Sequence, residues 1–124
     1  MRVQARWPVA CARIGRNGIA GEAFPAETLN LSAGGIGLIS EQPLFRPMRV
    51  AVRLDMGELD LVVRGTVTRV DAREEGRMAA IRFDTLPAVD RLAITRFVMR
   101  EARDRGQLAR PIDPGTSRWW LPAA

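Results

Sequence analysis

The sequence contains no lysine, no histidine and no tyrosine, and it has a single cysteine. Without histidine, it lacks the commonest general base and metal ligand of proteins, and one cysteine cannot complete a zinc site. Without lysine, it cannot form the phosphate-binding loop that ends in Gly-Lys-Ser or Gly-Lys-Thr. Since no cluster of acid, base and nucleophile is present either, the sequence predicts a protein that is not an enzyme and holds no metal or cofactor.

Long apolar runs are also missing. The longest apolar stretches have the length of a strand, and the N-terminus lacks the apolar core of a secretory signal peptide, so we expect no membrane span. Cys11 has no cysteine partner and suits a reducing compartment. We therefore expect a cytoplasmic protein whose 124 residues build a core without disulfides or metal.

Positive charge comes from arginine alone. All 19 basic residues are arginine, and the formal net charge is +5. Such a charge favours an anionic partner through long-range attraction. The arginines are spread along the whole chain, however, so charge by itself does not identify that partner.

Short runs of alternating apolar and polar residues predict strands. Turn residues separate the clearest runs, which cover residues 48–54, 59–70 and 78–83. Gly65 suggests a bulge or bend within the second of them. Three further candidates lie upstream, at residues 9–14, 24–30 and 35–40. Six short strands with frequent turns predict a mainly β fold, as a small barrel or sandwich.

The pattern changes after residue 83. The stretch Asp84-Thr85-Leu86-Pro87 offers a helix N-cap residue followed by a proline near the first turn. Apolar residues at helical spacing then predict one helix, which ends near Arg105 and covers an open end of the barrel. Its predicted apolar face consists of Val89, Leu92, Ala93 and Phe97.

Residues 106–124 are predicted to form a separate tail. This segment contains prolines and the pair Trp119-Trp120. Large apolar side chains in a polar tail either anchor it to its own domain or contact a partner protein.

Two motifs carry the functional signal. Arg2 and Arg6 precede the first strand-like run, and forked guanidinium donors suit phosphates and guanine edges. The run Asn30-Leu31-Ser32-Ala33-Gly34-Gly35 places polar side chains at alternate positions before glycines, a pattern typical of a strand end that something approaches closely. Arginines four residues apart are expected by chance at this arginine content, and they occur at 2/6, 49/53, 69/73, 73/77 and 96/100.

In this order and position, the two motifs resemble the nucleotide site of the PilZ domain family, which binds the bacterial second messenger cyclic di-GMP. The resemblance covers residues 2 to about 105. It implies a six-stranded antiparallel PilZ-type β-barrel with a C-terminal α-helix, at residues 1–105. Asn30 stands where aspartate is more usual in the family, and asparagine keeps the carbonyl acceptor without the charge.

The resemblance also implies a ligand site. Arg2 and Arg6 would hold cyclic di-GMP from a flexible N-terminal arm, Asn30 would meet a guanine edge, and the glycines would admit the ligand to the backbone. The six implied ligand-binding residues are Arg2, Arg6, Asn30, Ser32, Gly34 and Gly35. The chain would then be a receptor or regulatory domain that acts on a partner protein or a fused enzyme such as a glycosyltransferase, in motility, exopolysaccharide or biofilm control.

Two other functions stay open. A PilZ-like barrel without nucleotide binding would serve as a protein-interaction module. A small basic barrel could instead bind RNA or single-stranded DNA, but such barrels present aromatic stacking platforms, and the predicted strands contain only Phe24 and Phe83. We therefore expect no nucleic-acid polymer among the partners.

Overall fold

Seven strands and one helix occur within residues 1–107, the part of the chain that the computed structural model describes. The helix, α1, spans Ala88–Asp104. The strands are β1 (Arg2–Gln4), β2 (Pro8–Ile14), β3 (Ala20–Ser32), β4 (Gly35–Ser40), β5 (Arg49–Met56), β6 (Leu59–Arg73) and β7 (Gly76–Phe83). From residue 108 on, the predicted tail, with Trp119-Trp120, lies outside the described residues.

Six of the strands close into a barrel. They pair antiparallel in the order β3, β2, β5, β6, β7 and β4, and β4 closes the ring by pairing with β3. Closure is possible because β3 is long: its first half pairs with β2, and its second half pairs with β4. The predicted six-stranded antiparallel barrel followed by a helix is therefore confirmed.

The N-terminal arm is a strand, so the prediction of a flexible arm was wrong. β1 pairs with the end of β3, which places Arg2 opposite Ser32 and Gln4 opposite Asn30. Its middle residue, Val3, is fully buried, which anchors this short strand through the hydrophobic effect. A strand of three residues is too short to show a periodicity that sequence alone could detect.

A buried hydroxyl group joins the arm to the barrel. The Thr28 hydroxyl donates a hydrogen bond to the Ala5 carbonyl (2.7 Å) and accepts one from the Trp7 amide (2.8 Å). The Thr28 amide in turn donates to the Trp7 carbonyl (2.9 Å). Thr28 is fully buried, so these bonds satisfy a polar group that would otherwise be costly to bury.

The reciprocal pairing of Gln107 with β1 ties the end of the described chain to the arm. The Gln4 amide donates to Gln107 Oε1, and Gln107 Nε2 donates to the Gln4 carbonyl, both at 2.7 Å. A side-chain amide thus makes the two bonds that a neighbouring strand would make.

The core fills the barrel and extends under α1. It is formed by aliphatic residues at alternate strand positions, with Leu31, Leu38, Leu54, Val50, Val52, Val63 and Val67 among the most deeply buried. Cys11 belongs to this core, and burial raises the pKa of its thiol to about 12. The thiol is therefore protonated and inert at neutral pH.

The helix packs on the barrel with a different face from the predicted one. Of the predicted face only Phe97 is buried, with its ring centroid 5.3 Å from that of Trp7, while Val89 and Leu92 are 73% and 47% exposed. Two apolar stripes run along this helix, and periodicity alone does not decide which one packs. The buried stripe consists of Ile94, Phe97, Val98 and Ala102.

The start of the helix also differs from the prediction. Pro87 is the N-cap residue and makes no side-chain capping bond, while the Asp84 carboxylate pairs with Arg49. Within residues 1–107, no helix is long and apolar enough to cross a membrane.

The two stripes of α1 give a direct test of how the helix packs. Ile94→Ala should destabilise the protein by about 2–5 kcal/mol because it leaves a cavity in the core. The matched variant Leu92→Ala should change the free energy of unfolding by less than about 1 kcal/mol, since Leu92 lies on the exposed stripe. Urea unfolding of both variants measures these values, and equal losses would contradict the observed packing.

Candidate ligand-binding site

A row of four residues, one from each of four strands, crosses the outer face of the barrel. Cross-strand pairing sets Asn30 on β3 opposite Gly37 on β4, Gly37 opposite Ala80 on β7, and Ala80 opposite Arg69 on β6. Three strand spacings of about 4.8 Å make this row about 14 Å long. Because the two central residues are small, the row is a floor with a larger polar side chain at each end. We call it the Gly37–Ala80 floor.

Most of the predicted site residues surround this floor. A cavity of about 280 Å³ lies over it, and Arg69 and Arg82 contribute positive charge to its walls. Five of the six predicted residues line the same cavity: Arg2, Asn30, Ser32, Gly34 and Gly35. The structure therefore brings together the two motifs, which lie some 30 residues apart in sequence.

The sixth predicted residue, Arg6, lines an adjoining cavity of about 440 Å³. The two cavities share Asn30, Arg69 and Met78, so they form one continuous cleft. Arg73 also lines the second cavity. Five arginines thus contribute to the walls of the cleft: Arg2, Arg6, Arg69, Arg73 and Arg82.

Two carboxylates hold Arg6. Its guanidinium lies 2.8 Å from Glu27 on β3 and 2.8 Å from Glu75 in the turn between β6 and β7. The hydrogen bonds to Glu27 and then Glu75 raise the pKa of Arg6 above its ordinary value. All three side chains are about half exposed, and ion pairs of this kind contribute only about 0–1 kcal/mol each. An anionic ligand can therefore replace them at small cost.

Arg2 has a different setting. No salt bridge joins it to another residue of the described chain, and it is exposed at the rim of the first cavity. Its guanidinium is therefore available to a phosphate or a base without first giving up a protein partner.

The Asn30 side chain lies across Gly37. Its Oδ1 accepts a hydrogen bond from the Gly37 amide (3.2 Å), and a Cβ placed on Gly37 would lie 2.8 Å from Asn30 Nδ2. Glycine at position 37 thus makes room for the amide to lie on the floor. Gly37 lies two residues beyond the Asn30–Gly35 run and was not among the predicted site residues.

Ser32 organises the turn between β3 and β4. Its hydroxyl oxygen accepts hydrogen bonds from the amides of Gly34 (3.3 Å) and Gly35 (3.2 Å). The hydroxyl also lines the first cavity. The serine of the motif therefore shapes the turn that positions Arg2 and Asn30 around the same opening.

The two motif glycines meet different surroundings. A Cβ on Gly35 would overlap the backbone carbonyl of Ile81 on β7, so glycine is needed here for close packing of two strands. A Cβ on Gly34 would meet only the Ser32 hydroxyl, at 4.0 Å. The expected room for a ligand beside the backbone therefore exists at Gly34, whereas Gly35 allows β4 and β7 to pack closely in the barrel.

A β-bulge determines which way the end of β6 faces. The pairing of β6 with β7 shifts between Val67 and Arg69, so the predicted bend at Gly65 was misplaced. Val67 points into the core, and without the extra residue Thr68 the alternation would turn Arg69 inward as well. Gly65 instead allows β6 and β7 to pack closely, because a Cβ at this position would overlap the Arg82 carbonyl. In the sequence, Arg69 and Arg73 are one of several arginine pairs at chance spacing, and the bulge explains why they face the cleft.

The chemistry of this cleft is that of an anion and base binder. It combines guanidinium groups, an asparagine amide and a flat floor. No cluster of three or more potential metal-ligating side chains occurs among residues 1–107.

Comparison with known proteins agrees with this geometry. A sequence model of the PilZ domain matches residues 2–100. No curated protein matches the chain.

Solved structures show the same fold at low sequence identity. The PilZ domain of CeSA from a cellulose-synthesizing bacterium is 20% identical, with a TM-score of 0.60, over 81% of this chain and 96% of that one. The PilZ domain of YcgR from Escherichia coli with c-di-GMP is 19% identical, with a TM-score of 0.63, over 88% and 96%. The Bacillus subtilis inhibitor of motility MotI/DgrA is 20% identical, with a TM-score of 0.61, over 84% of this chain and 50% of that protein.

Two glycine substitutions separate the roles assigned to these positions. Gly35→Ala should lower the free energy of unfolding by about 1–3 kcal/mol, because β4 must move away from the Ile81 carbonyl. Gly37→Ala should cost less than about 1 kcal/mol, because the Asn30 side chain can rotate away. Amide hydrogen exchange at residue 37 should then accelerate as its acceptor leaves. A Gly37→Ala variant with unchanged exchange at that amide would contradict this account.

Proposed function

The chain belongs to the PilZ domain family, and we propose that it is a receptor domain for cyclic di-GMP. One observation carries the proposal: five of the six motif residues line a single cavity, and the sixth lines the cavity next to it. The solved PilZ domain of YcgR with c-di-GMP supports the same ligand.

The ligand's chemistry matches the walls of the cleft. Cyclic di-GMP carries two phosphates and two guanines. Guanidinium groups bind phosphates and the O6 and N7 atoms of guanine, and they stack on base faces. Arg2 and Arg6 on the arm take these roles, while the Asn30 amide meets a guanine edge and Ser32 holds the motif turn. Gly34 gives the ligand access to the backbone, and Gly35 keeps β4 close to β7.

Binding requires an exchange of partners at Arg6. A ligand phosphate takes the place of Glu27 and Glu75, so the turn between β6 and β7 loses its ion pair with the arm. This is a rearrangement of charges around a preformed strand rather than the folding of a loose arm. Its cost is small, because the pairs that break are half exposed.

The domain acts by passing this change to a protein partner or to an enzyme on the same polypeptide. Its structural neighbours include a domain of CeSA from a cellulose-synthesizing bacterium and an inhibitor of motility. We therefore place the chain in cytoplasmic control of motility, exopolysaccharide or biofilm formation, with a glycosyltransferase as one candidate effector. It performs no catalysis and needs no cofactor.

Calorimetric titration with cyclic di-GMP tests the proposed function. The full chain should bind with micromolar affinity or better, which corresponds to about −8 kcal/mol. Arg6→Ala should abolish measurable binding, because it removes a forked donor from the site. The control Arg16→Ala removes the same charge from an exposed turn that lines neither cavity, and it should bind like the wild type.

Two outcomes would count against this assignment. Unchanged affinity for cyclic di-GMP in Arg6→Ala would show that Arg6 does not bind the ligand. No binding by a folded wild-type chain would overturn the receptor function and favour the protein-interaction module.

A second prediction concerns the competition for Arg6. Glu75→Gln should raise the affinity for cyclic di-GMP up to about fivefold, because Arg6 gives up a weaker partner on binding. The adjacent Glu74→Gln removes the same charge without touching the Arg6 ion pair and measures the purely long-range effect. Equal gains in the two variants, from the same titration, would show that the Glu75 contact does not compete with the ligand.

A further inference from the structure

We propose that Arg69 determines the base specificity of the site: its guanidinium binds O6 and N7 of a guanine that lies over the Gly37–Ala80 floor. The inference rests on the proposed function, because it takes cyclic di-GMP as the ligand. Arg69 belongs to neither motif; it lies at the end of the floor opposite Asn30 and lines both cavities of the cleft.

The first support is the shape of the floor. Gly37 and Ala80 lie side by side between Asn30 and Arg69, and Met78, two residues before Ala80 on β7, lines both cavities of the cleft. The Asn30 amide lies across Gly37, and Ala80 adds only a methyl group between that amide and Arg69, so no bulky side chain rises from the floor along about two strand spacings, roughly 10 Å. A planar base can rest on such a surface with its edge toward a side chain at the end of the row.

The second support is the way β6 holds Arg69 in place. Thr68 is the extra residue of the bulge, and its hydroxyl donates to the Ala80 carbonyl (3.2 Å). This bond ties the bulge to the residue of the floor that lies opposite Arg69. The bulge therefore presents Arg69 at the rim of the cleft, where it contributes to both cavities.

The third support is the pairing of Arg69 with Asp71. Arg69 Nε lies 3.2 Å from Asp71 Oδ2, two residues along the same strand face. The ion pair uses Nε, and neither terminal nitrogen of Arg69 makes a salt bridge to another residue within 1–107. The outer fork of the guanidinium therefore stays open to solvent and to a ligand, with the side chain 65% exposed.

A fork of two donors selects guanine over adenine. Guanine presents two acceptors, O6 and N7, on one edge, whereas adenine replaces O6 with an amino donor. The match requires directed hydrogen bonds and not only positive charge. This distinguishes the proposed role of Arg69 from a general attraction between arginines and phosphates.

The test removes one acceptor from the ligand and one donor group from the protein. Titrations of the full chain use cyclic di-GMP and its analogue in which a C–H group replaces N7 in both guanines. The proteins are the wild type, Arg69→Ala and the control Arg77→Ala, which removes the same charge from the same hairpin without lining the cleft. Thermal unfolding confirms that each variant is folded.

The expected result is a coupling between residue 69 and N7. Arg69→Ala should weaken the binding of cyclic di-GMP by roughly 5- to 150-fold, the range for a bidentate contact to a base. The loss for the analogue should be clearly smaller, since one of the two bonds is already absent. Arg77→Ala should weaken the binding of both ligands by the same small factor.

Each alternative outcome overturns the inference. If Arg69→Ala weakens the binding of both ligands equally, Arg69 contributes only its positive charge and does not recognise the base. If neither affinity changes, Arg69 does not contact the ligand. In both cases the receptor function stands, because the wild type still binds. If the folded wild type binds neither ligand, the proposed function fails and the inference fails with it.

Discussion

The hydrogen bonds of Thr28 hold together the parts on which the site depends. The arm carries Arg2 and Arg6, the end of β3 carries Asn30 and Ser32, and the fully buried Thr28 hydroxyl joins these two segments. A buried hydroxyl that lost its partners would cost about 1–3 kcal/mol, so the arm and the barrel favour a single arrangement. The fold consequently brings the residues of both motifs to one cleft.

Sequence alone predicts the barrel well because alternation is a strong signal in long strands. The runs at 48–54 and 59–70 alternate apolar and polar residues, and the barrel buries Val50, Val52, Leu54, Val63 and Val67 in its core. That the two motifs meet is implied by the resemblance to the PilZ family, and the structure brings five of the six predicted residues to one cavity. What the sequence misses depends on local geometry. β1 is too short to show a period, and two apolar stripes compete on α1.

In the candidate site, too, the sequence motifs can be predicted, whereas the features that depend on local geometry cannot. The residues of the N-x-S-x-x-G motif are visible in sequence, whereas Arg69 is one of several arginines at chance spacing. Its position becomes meaningful only through the bulge at Thr68, which reverses the facing of the residues that follow. The ion pairs of Arg6 cannot be predicted from the sequence either. Glu27 and Glu75 lie far apart in the chain, and they come together only when β3 and the β6–β7 turn are in place.

The pairing of Gln107 with Gln4 has a consequence for the sheet as a whole. Since the six long strands close on themselves, β1 is the one described strand whose outer side is left without a strand partner. Such an edge is a template for pairing with another polypeptide, which leads to aggregation. The Gln107 amide occupies the donor and the acceptor of Gln4 on that side. A single glutamine, three residues beyond the end of α1, thus covers the edge of the strand that carries Arg2.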